Sequence, residues 1–357
     1  MTRCDVAIVG AGIAGASLAA ELAPHASVVL LESEDVAGYH ATGRSAAFWS
    51  ETYGGPGVQP LTTASAEALR PFLRALGSLH IGRADDAPAI SRFLDDFRDS
   101  EVELHRVDPA DWLPGLRSDW TLGVWEPSCA YIDVAGLHGD RLATARRAGA
   151  AVMTNAPLEE AKRAESRWRI RTPAGEVDAA ILVNAAGAWV DPVAERAGVD
   201  PLGVKAYRRT IVQLRTDPPA PDDLPHVAHV GGGFYFKPEA GGRLWLSPHD
   251  ETPTDPCDAA PEELDVAIAI DRFEGVVDWR VAAVERKWAG LRTFAPDRLP
   301  VFGWDRVVPG FFWCAGQGGF GIQTAPAAAA LCAALILGRR APDGLDPERY
   351  APGRFPS

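Results

Sequence analysis

Residues 4–32 read CDVAIVGAGIAGASLAAELAPHASVVLLE, and the order of residue types in them decides the fold. Asp5 to Val9 is a short apolar run of strand type. Gly10-Ala11-Gly12-Ile13-Ala14-Gly15 follows, then a small-residue helix pattern through Leu22. A second apolar run, Val28 to Leu31, ends in Glu32. Strand, glycine turn, helix, strand and acid make up a dinucleotide-binding βαβ unit. Gly10 permits the tight turn, Gly12 lets backbone approach a pyrophosphate, and Gly15 lets the helix pack close to the strand. Ile13 and Ala14 open that helix, whose free N–H groups and partial positive charge face the phosphates. Glu32, followed by Ser33, can accept hydrogen bonds from a ribose 2′-OH, and its charge repels the 2′-phosphate of NADP. This stretch alone does not separate FAD from NAD.

The chain has 357 residues, enough for two domains with cores of their own. Its hydrophobic fraction of 47% and charged fraction of 23% are those of an ordinary globular protein. A net charge of −13 argues against a nucleic-acid partner or an anionic membrane surface. No apolar run reaches the roughly 18 residues of a membrane span, and Ala325 to Leu337 reads as a buried alanine-rich helix. The first strand begins at residue 5, so no signal peptide is expected. The five cysteines are isolated and odd in number, which suits reduced thiols and a cytoplasmic location.

After Glu32 comes Gly38-Tyr39-His40-Ala41-Thr42-Gly43-Arg44-Ser45-Ala46-Ala47. Glycines, hydroxyls and a basic residue directly after the ribose-binding acid suit a loop that wraps a diphosphate. NAD-binding units do not usually carry it. Here the sequence resembles the FAD-dependent D-amino-acid oxidase superfamily, which includes glycine oxidase, sarcosine oxidase and D-amino-acid dehydrogenases. The run Gly38 to Tyr53 is most similar to the bacterial D-arginine dehydrogenase type. The resemblance extends over nearly the whole chain.

The residues further on fit that resemblance. Leu61 to Asp119 turns helical and polar, and Val124 to Tyr131 reads as a strand pair. Asp133 is a plausible N-cap for a helix running to about Arg147. Trp168 to Asp178 carries a hairpin signal at Pro173-Ala174-Gly175. Ala180 to Asn184 is a buried-strand run ending in Ala185-Ala186-Gly187-Ala188-Trp189, whose small residues suit close approach by a cofactor or by a helix. In the segment 201–290, Thr210 to Leu214, Phe234 to Lys237 and Leu244 to Leu246 are strand-like, suggesting the antiparallel sheet of a second domain. Phe311 to Ala315 is a strand, followed by Gly316-Gln317-Gly318-Gly319-Phe320-Gly321-Ile322 and a helix from about Gln323. No strand and acid follow this second glycine run, so a second dinucleotide site is not expected. Instead the strand should return to the first sheet and aim the helix N-terminus at the flavin ring, where reduction places negative charge.

The expected fold class is α/β, with a Rossmann-like FAD-binding domain interleaved with an α+β substrate domain built on an antiparallel sheet. The FAD-binding domain takes 1–70, 137–200 and 291–357, and the substrate domain 71–136 and 201–290. The resemblance implies cofactor contacts from Gly10, Gly12, Ile13, Ala14, Gly15, Glu32 and Ser33. It adds Thr42 to Ala47, Pro157, Ala186, Gly187 and Trp189. At the far end it adds Arg292, Gly316, Gly318, Gly319, Phe320, Gly321, Ile322 and Gln323. Sarcosine-oxidase relatives that hold FAD covalently use a cysteine where this chain has Gly290, so non-covalent FAD is expected.

An amino-acid substrate offers a carboxylate, which asks for a bidentate arginine. Arg292 stands at the family's carboxylate-binding position, and Arg209 is a second candidate. Tyr235 matches a tyrosine whose hydroxyl reaches the same carboxylate, Tyr53 matches an active-site lid tyrosine, and Gly318 belongs to the same site. The expected reaction is hydride transfer from Cα of a D-amino acid to flavin N5, giving an imino acid that hydrolyses to a 2-keto acid and ammonia. Oxidation of glycine, sarcosine or another N-substituted amino acid is the alternative. The electron acceptor is O₂ or a quinone-type carrier. Where dehydrogenase-like relatives can place a histidine in the lid, this chain has Phe48-Trp49. Gly77 to Gly82 also shows no acid to pair with a guanidinium. Both features favour apolar or aromatic substrates, with Asp85, Asp86 and Glu51 left as acids that could still reach the pocket. His226 and His229 read as loop residues and not as a metal pair.

Overall fold

The computed structural model describes residues 1–355. Its first sheet has eight strands. Thr2–Val9 lies between Gly175–Asn184 and Val28–Leu31, and Ala151–Met153 continues beyond Val28–Leu31, all parallel. Phe311–Ala315 pairs parallel with Leu182 to Asn184, so the late strand does return to the first sheet. The same edge of Gly175–Asn184 is shared with Arg167–Thr172, antiparallel, through the hairpin expected at Pro173-Ala174-Gly175.

Alternation decides which side of this sheet each residue serves. Val6, Ile8, Phe312 and Cys314 enter a core with the helices Ile13–Leu22 and Gly321–Ile336. Their neighbours Ala7, Val9, Phe311 and Trp313 enter a second core on the opposite face, with Trp168 and Val190. Both faces are thus covered, as a parallel sheet requires. Asp133 caps the helix Val134–Arg147 by accepting from Gly136 N at 2.9 Å.

The second sheet has nine strands and is hinged on Lys205–Asp217. Arg280–Phe294 runs antiparallel along one edge of it, pairing as far as Phe294. Arg243–Ser247 and Thr252–Thr254 share the other edge. Tyr235–Glu239, His226–His229, Ser78–Gly82, Leu122–Glu126 and His105–Val107 follow in order. The sheet is antiparallel except where His226–His229 lies parallel to Ser78–Gly82.

Three local readings change. Leu61 to Asp119 is not helical throughout, since Leu73–Ala75, Ser78–Gly82 and His105–Val107 are strands that join the antiparallel sheets. His226 and His229 sit in a strand, where Ser78 Oγ and Asp86 respectively contact their rings, because Val227 between them packs into the sheet's core. Leu122–Glu126 and Ala130–Ile132 are both strands but do not pair with each other. The second joins Phe48–Trp49 and Leu73–Ala75 in a separate three-stranded sheet, which ties the segment before Tyr53 to Ala130–Ile132. No helix of the described residues is long and apolar enough to cross a membrane.

Candidate active site

A cavity of about 440 Å³ runs along the carboxyl ends of the parallel strands and reaches the antiparallel sheet. The first βαβ unit forms one end. Gly10 has φ +99°, and a Cβ on it would stand 2.5 Å from the Ala185 carbonyl oxygen. A Cβ on Gly15 would lie 1.9 Å from the Gly10 carbonyl oxygen, so strand and helix touch there backbone to backbone. At Gly12 a Cβ would meet only the Thr42 hydroxyl, at 3.1 Å, and would otherwise project into the cavity. That open position at a helix N-terminus is a cradle for a pyrophosphate. Thr42 Oγ1 accepts from Ile13 N at 3.0 Å, which pins the wrapping loop to the helix.

Glu32 is buried at the end of its strand. One carboxylate oxygen accepts from Ala11 N at 2.9 Å, and the other from Glu34 N at 3.1 Å and Ser33 Oγ at 3.2 Å. Oε2, with a single donor, keeps acceptor capacity for a ribose hydroxyl. His40, absent from the expected contacts, also lines the cavity. Its Nε2 meets Glu34 at 2.9 Å, whereas its buried Nδ1 has no partner. With Nε2 donating to Glu34, Nδ1 of the neutral ring is an acceptor that a cofactor hydroxyl would satisfy. Sequence reasoning passed over it because one histidine in a glycine-rich loop carries no spacing signal.

The other expected contacts divide. Ile13, Ala14, Ser45, Ala46, Pro157, Ala186, Gly187, Trp189, Gly318, Gly319, Gly321 and Ile322 line the main cavity, and Ala47, Phe320 and Gln323 line a small annex to it. Gly15, Gly43 and Gly316 do not; a Cβ on Gly43 would meet the Gly38 carbonyl oxygen at 2.8 Å, so its role is to close the loop. Arg44 borders the cavity but spends its guanidinium elsewhere, on Asp258 and on the Ala259 carbonyl at 2.8 Å. Trp288 Nε1 in turn donates to the Arg44 carbonyl at 2.9 Å. The loop is thereby fastened to the antiparallel sheet.

At the far end the antiparallel sheet delivers the polar groups. Alternation sends Arg208 outward to Glu262 and Asp265 and Arg209 inward. Arg209 is 3% exposed; its Nε donates to the Asp250 carbonyl at 2.7 Å, and its Nη1 is buried without a partner. Tyr207 is registered opposite Arg292 on the next strand, and Arg209 opposite Gly290. Burial, and then the facing Arg292 charge, bring the Arg209 pKa down to about 10. His249 is pushed down to about 3 by burial and by both guanidiniums, so it stays neutral and adds no third charge.

Arg292 is half-buried and stacks near the Tyr53 ring, 5.7 Å from its centroid. Among the described residues the neighbouring acids are taken by others, Asp250 and Glu251 facing Arg209 and Arg298. Tyr235 is buried and borders both cavities. Beside Arg292 lies an annex of about 30 Å³, walled by Phe48, Tyr53, Tyr235 and Phe320. Gly319 must be glycine for these groups to meet, since a Cβ there would lie 2.3 Å from Tyr53 Oη and 2.7 Å from Arg292 Nη1. Gly318, at φ +55°, donates its N–H to the Thr293 carbonyl at 2.7 Å, joining the glycine turn to the arginine strand. The helix Gly321–Ile336 then starts with its N-terminal residues on the cavity wall.

The arrangement can hold an elongated dinucleotide along the parallel sheet and an anion between two guanidiniums at its inner end. None of the five cysteines lines the cavity.

Comparison with known proteins agrees with this geometry. The chain is 28% identical to glycine oxidase of Pseudomonas aeruginosa, over 97% of this chain and 98% of that one. It is 27% identical to mitochondrial dimethylglycine dehydrogenase of Mus musculus, over 98% of this chain, and spans 44% of that longer protein. The crystal structure of glycine oxidase from Geobacillus kaustophilus superposes with a TM-score of 0.85, at 24% identity and full coverage of both chains. A family model described as FAD dependent oxidoreductase matches residues 5–335. With the glycine cradle, the ribose-side acid and the returning strand all in place, the chain belongs to the DAO family of FAD-dependent oxidoreductases.

Proposed function

We propose that this flavoprotein oxidises the C–N bond of a D-amino acid with an apolar side chain. The observation that carries this reading is the pair Arg292 and Arg209. They are two guanidiniums at the inner end of the FAD cavity, and among the described residues one has no acidic partner and the other a buried, unpartnered Nη1. A carboxylate supplies the counter-charge that Arg292 lacks and an acceptor for Arg209 Nη1. Tyr53 and Tyr235 border the same place and bring hydroxyl donors to it.

FAD supplies the hydride acceptor at N5. Fixing the acid group leaves Cα and the amine to face the ring, and the aromatic walls keep water from the reacting centre. The amine lone pair drives hydride departure, which suits a site where His249, held down by burial and both guanidiniums, is neutral and serves Gly232. Loss of hydride and a proton gives the imine, and water then releases a 2-keto acid and ammonia. The amino end of Gly321–Ile336 stabilises the negative charge the cofactor gains. Reoxidation by O₂ or a quinone-type carrier, FAD held without a covalent bond, and the division into interleaved cofactor and substrate domains are part of the same proposal.

One observation favours a second reading, oxidation of glycine or an N-methylated glycine. The annex beside Arg292 measures about 30 Å³, room for roughly two water molecules or a methyl group. Anaerobic mixing with D-alanine, D-valine, D-phenylalanine, glycine, sarcosine and the L-enantiomers, read by bleaching of the flavin band, separates the two. Bleaching by D-amino acids supports the first reading, and bleaching by glycine or sarcosine alone supports the second. No bleaching by any amine would sink both.

A further inference from the structure

One buried acid is untouched by the reaction as described. Glu126, at the end of Leu122–Glu126, is 0% exposed. Its carboxylate accepts from Thr52 Oγ1 at 2.7 Å, Glu51 N at 2.9 Å, Ser50 Oγ at 3.0 Å and His80 Nε2 at 3.1 Å. Three of these donors are consecutive residues leading into Tyr53. Burial alone would raise the Glu126 pKa, but the hydrogen bonds from His80, Thr52 and Ser50 outweigh it and hold the group below the usual range.

From the opposite side the same segment meets a buried carboxamide. Gln323, in the first turn of Gly321–Ile336, donates to the Ser50 carbonyl at 3.2 Å, the Tyr53 carbonyl at 3.1 Å and Thr62 Oγ1 at 2.9 Å. Its own oxygen accepts from Ser50 N at 3.2 Å. Residues 50–53 therefore hang between an acid on the substrate sheet and an amide on the cofactor-side helix. Tyr53 itself makes one short-range backbone bond, its N–H to Ser50 O at 3.3 Å. Its ring stands among Phe48, Phe320 and Arg292.

We infer that Glu126 is a positioning residue for carboxylate binding: it holds the 50–52 segment so that the Tyr53 hydroxyl meets the acid group anchored by Arg292. This rests on the proposed reading of Arg292 as that anchor. A buried carboxylate is needed because several donors converge on it, and a neutral side chain offers too few acceptors for them. Glu126 touches neither cavity, so its action passes through Tyr53.

The test is a double-mutant cycle between E126Q and Y53F in the FAD-loaded protein. Acetate and benzoate serve as unreactive carboxylates, with binding read from the flavin difference spectrum. E126Q is expected to weaken carboxylate binding and raise KM about tenfold while changing kcat less. In the Y53F background the same change should cost less than about twofold. Equal losses in both backgrounds, or no loss in either, would overturn the inference. If E126Q fails to retain flavin, T52V removes a single hydroxyl and should show a smaller loss that likewise disappears in Y53F; an additive loss refutes it. The carboxylate titration needs no turnover. A wild-type protein that binds benzoate but oxidises no amine would therefore defeat the proposed reaction and leave this inference standing to be tested.

Discussion

Replacing Arg292 with methionine should remove most of the protein's grip on a carboxylate while leaving the fold intact. Methionine is of similar length and keeps apolar contact with the Tyr53 ring, which lies 5.7 Å from the guanidinium carbon. No buried acid is orphaned by the change, since Asp250 and Glu251 keep Arg209 and Arg298. A bidentate guanidinium–carboxylate contact makes two charge-assisted hydrogen bonds, each worth about 1.5–3 kcal/mol. Arg209 recovers part of the loss, because its buried, unpartnered Nη1 remains to meet the carboxylate. The net penalty is about 2–3 kcal/mol, or about 30- to 150-fold in affinity. R292K, which keeps the charge without the fork, should fall between. The assay is titration with benzoate followed by anaerobic reduction with the best substrate of the amine panel. R292M binding benzoate within about threefold of wild type would refute the reasoning. An equal loss of affinity for benzamide would also refute it, since that would make the effect packing and not charge.

Three further outcomes follow from the geometry. Lys237 is 3% exposed and lies against the rings of Tyr131 and Trp245, with burial bringing its pKa from 10.5 to about 8. Between those two values the unfolded chain holds a proton the folded one has lost, so stability rises with pH there. K237M should remove a cost of about 3 kcal/mol at pH 7, raising Tm and flattening that rise; a lower Tm at pH 7 would show that the ring contacts outweigh burial. G319A places a methyl within 2.3 Å of Tyr53 Oη and 2.7 Å of Arg292 Nη1, and should raise KM by more than about tenfold with flavin retained; an unchanged KM counts against the convergence of these groups. Acid precipitation should leave the yellow colour in the supernatant, as no cysteine borders the cavity; colour in the pellet would contradict the non-covalent reading.

The cofactor end was legible in the sequence because its physics is local. Gly10, Gly12 and Gly15 are spaced by a turn and a helix start, and Glu32 closes the next strand, so one short stretch carries the whole signal. Phe311 to Ala315 could be returned to the first sheet because an apolar run followed by glycines and an alanine helix has few other homes; its neighbour there, Gly175–Asn184, came from the structure. Residues whose role depends on distant partners were less legible. Glu126 sits one strand away from the Gly77–Gly82 segment, whose lack of an acid suggested an apolar pocket, and its charge is absorbed by Ser50, Thr52 and His80. Arg44 was placed on the diphosphate by its neighbours, yet its guanidinium turns to Asp258 and Ala259, more than two hundred residues along the chain. His40 Nδ1 gained meaning only once burial left it alone.

The bond from Gly318 N to Thr293 O has a consequence for how the molecule gauges distance. Thr293 follows the residue proposed to grip the acid group, and Gly318 stands three positions before the helix proposed to face the ring. One backbone contact thus serves as a ruler between donor and acceptor, and any breathing of the two sheets carries both marks along together. Side chains around the annex can change to admit a new substrate while the interval the hydride must cross keeps its calibration.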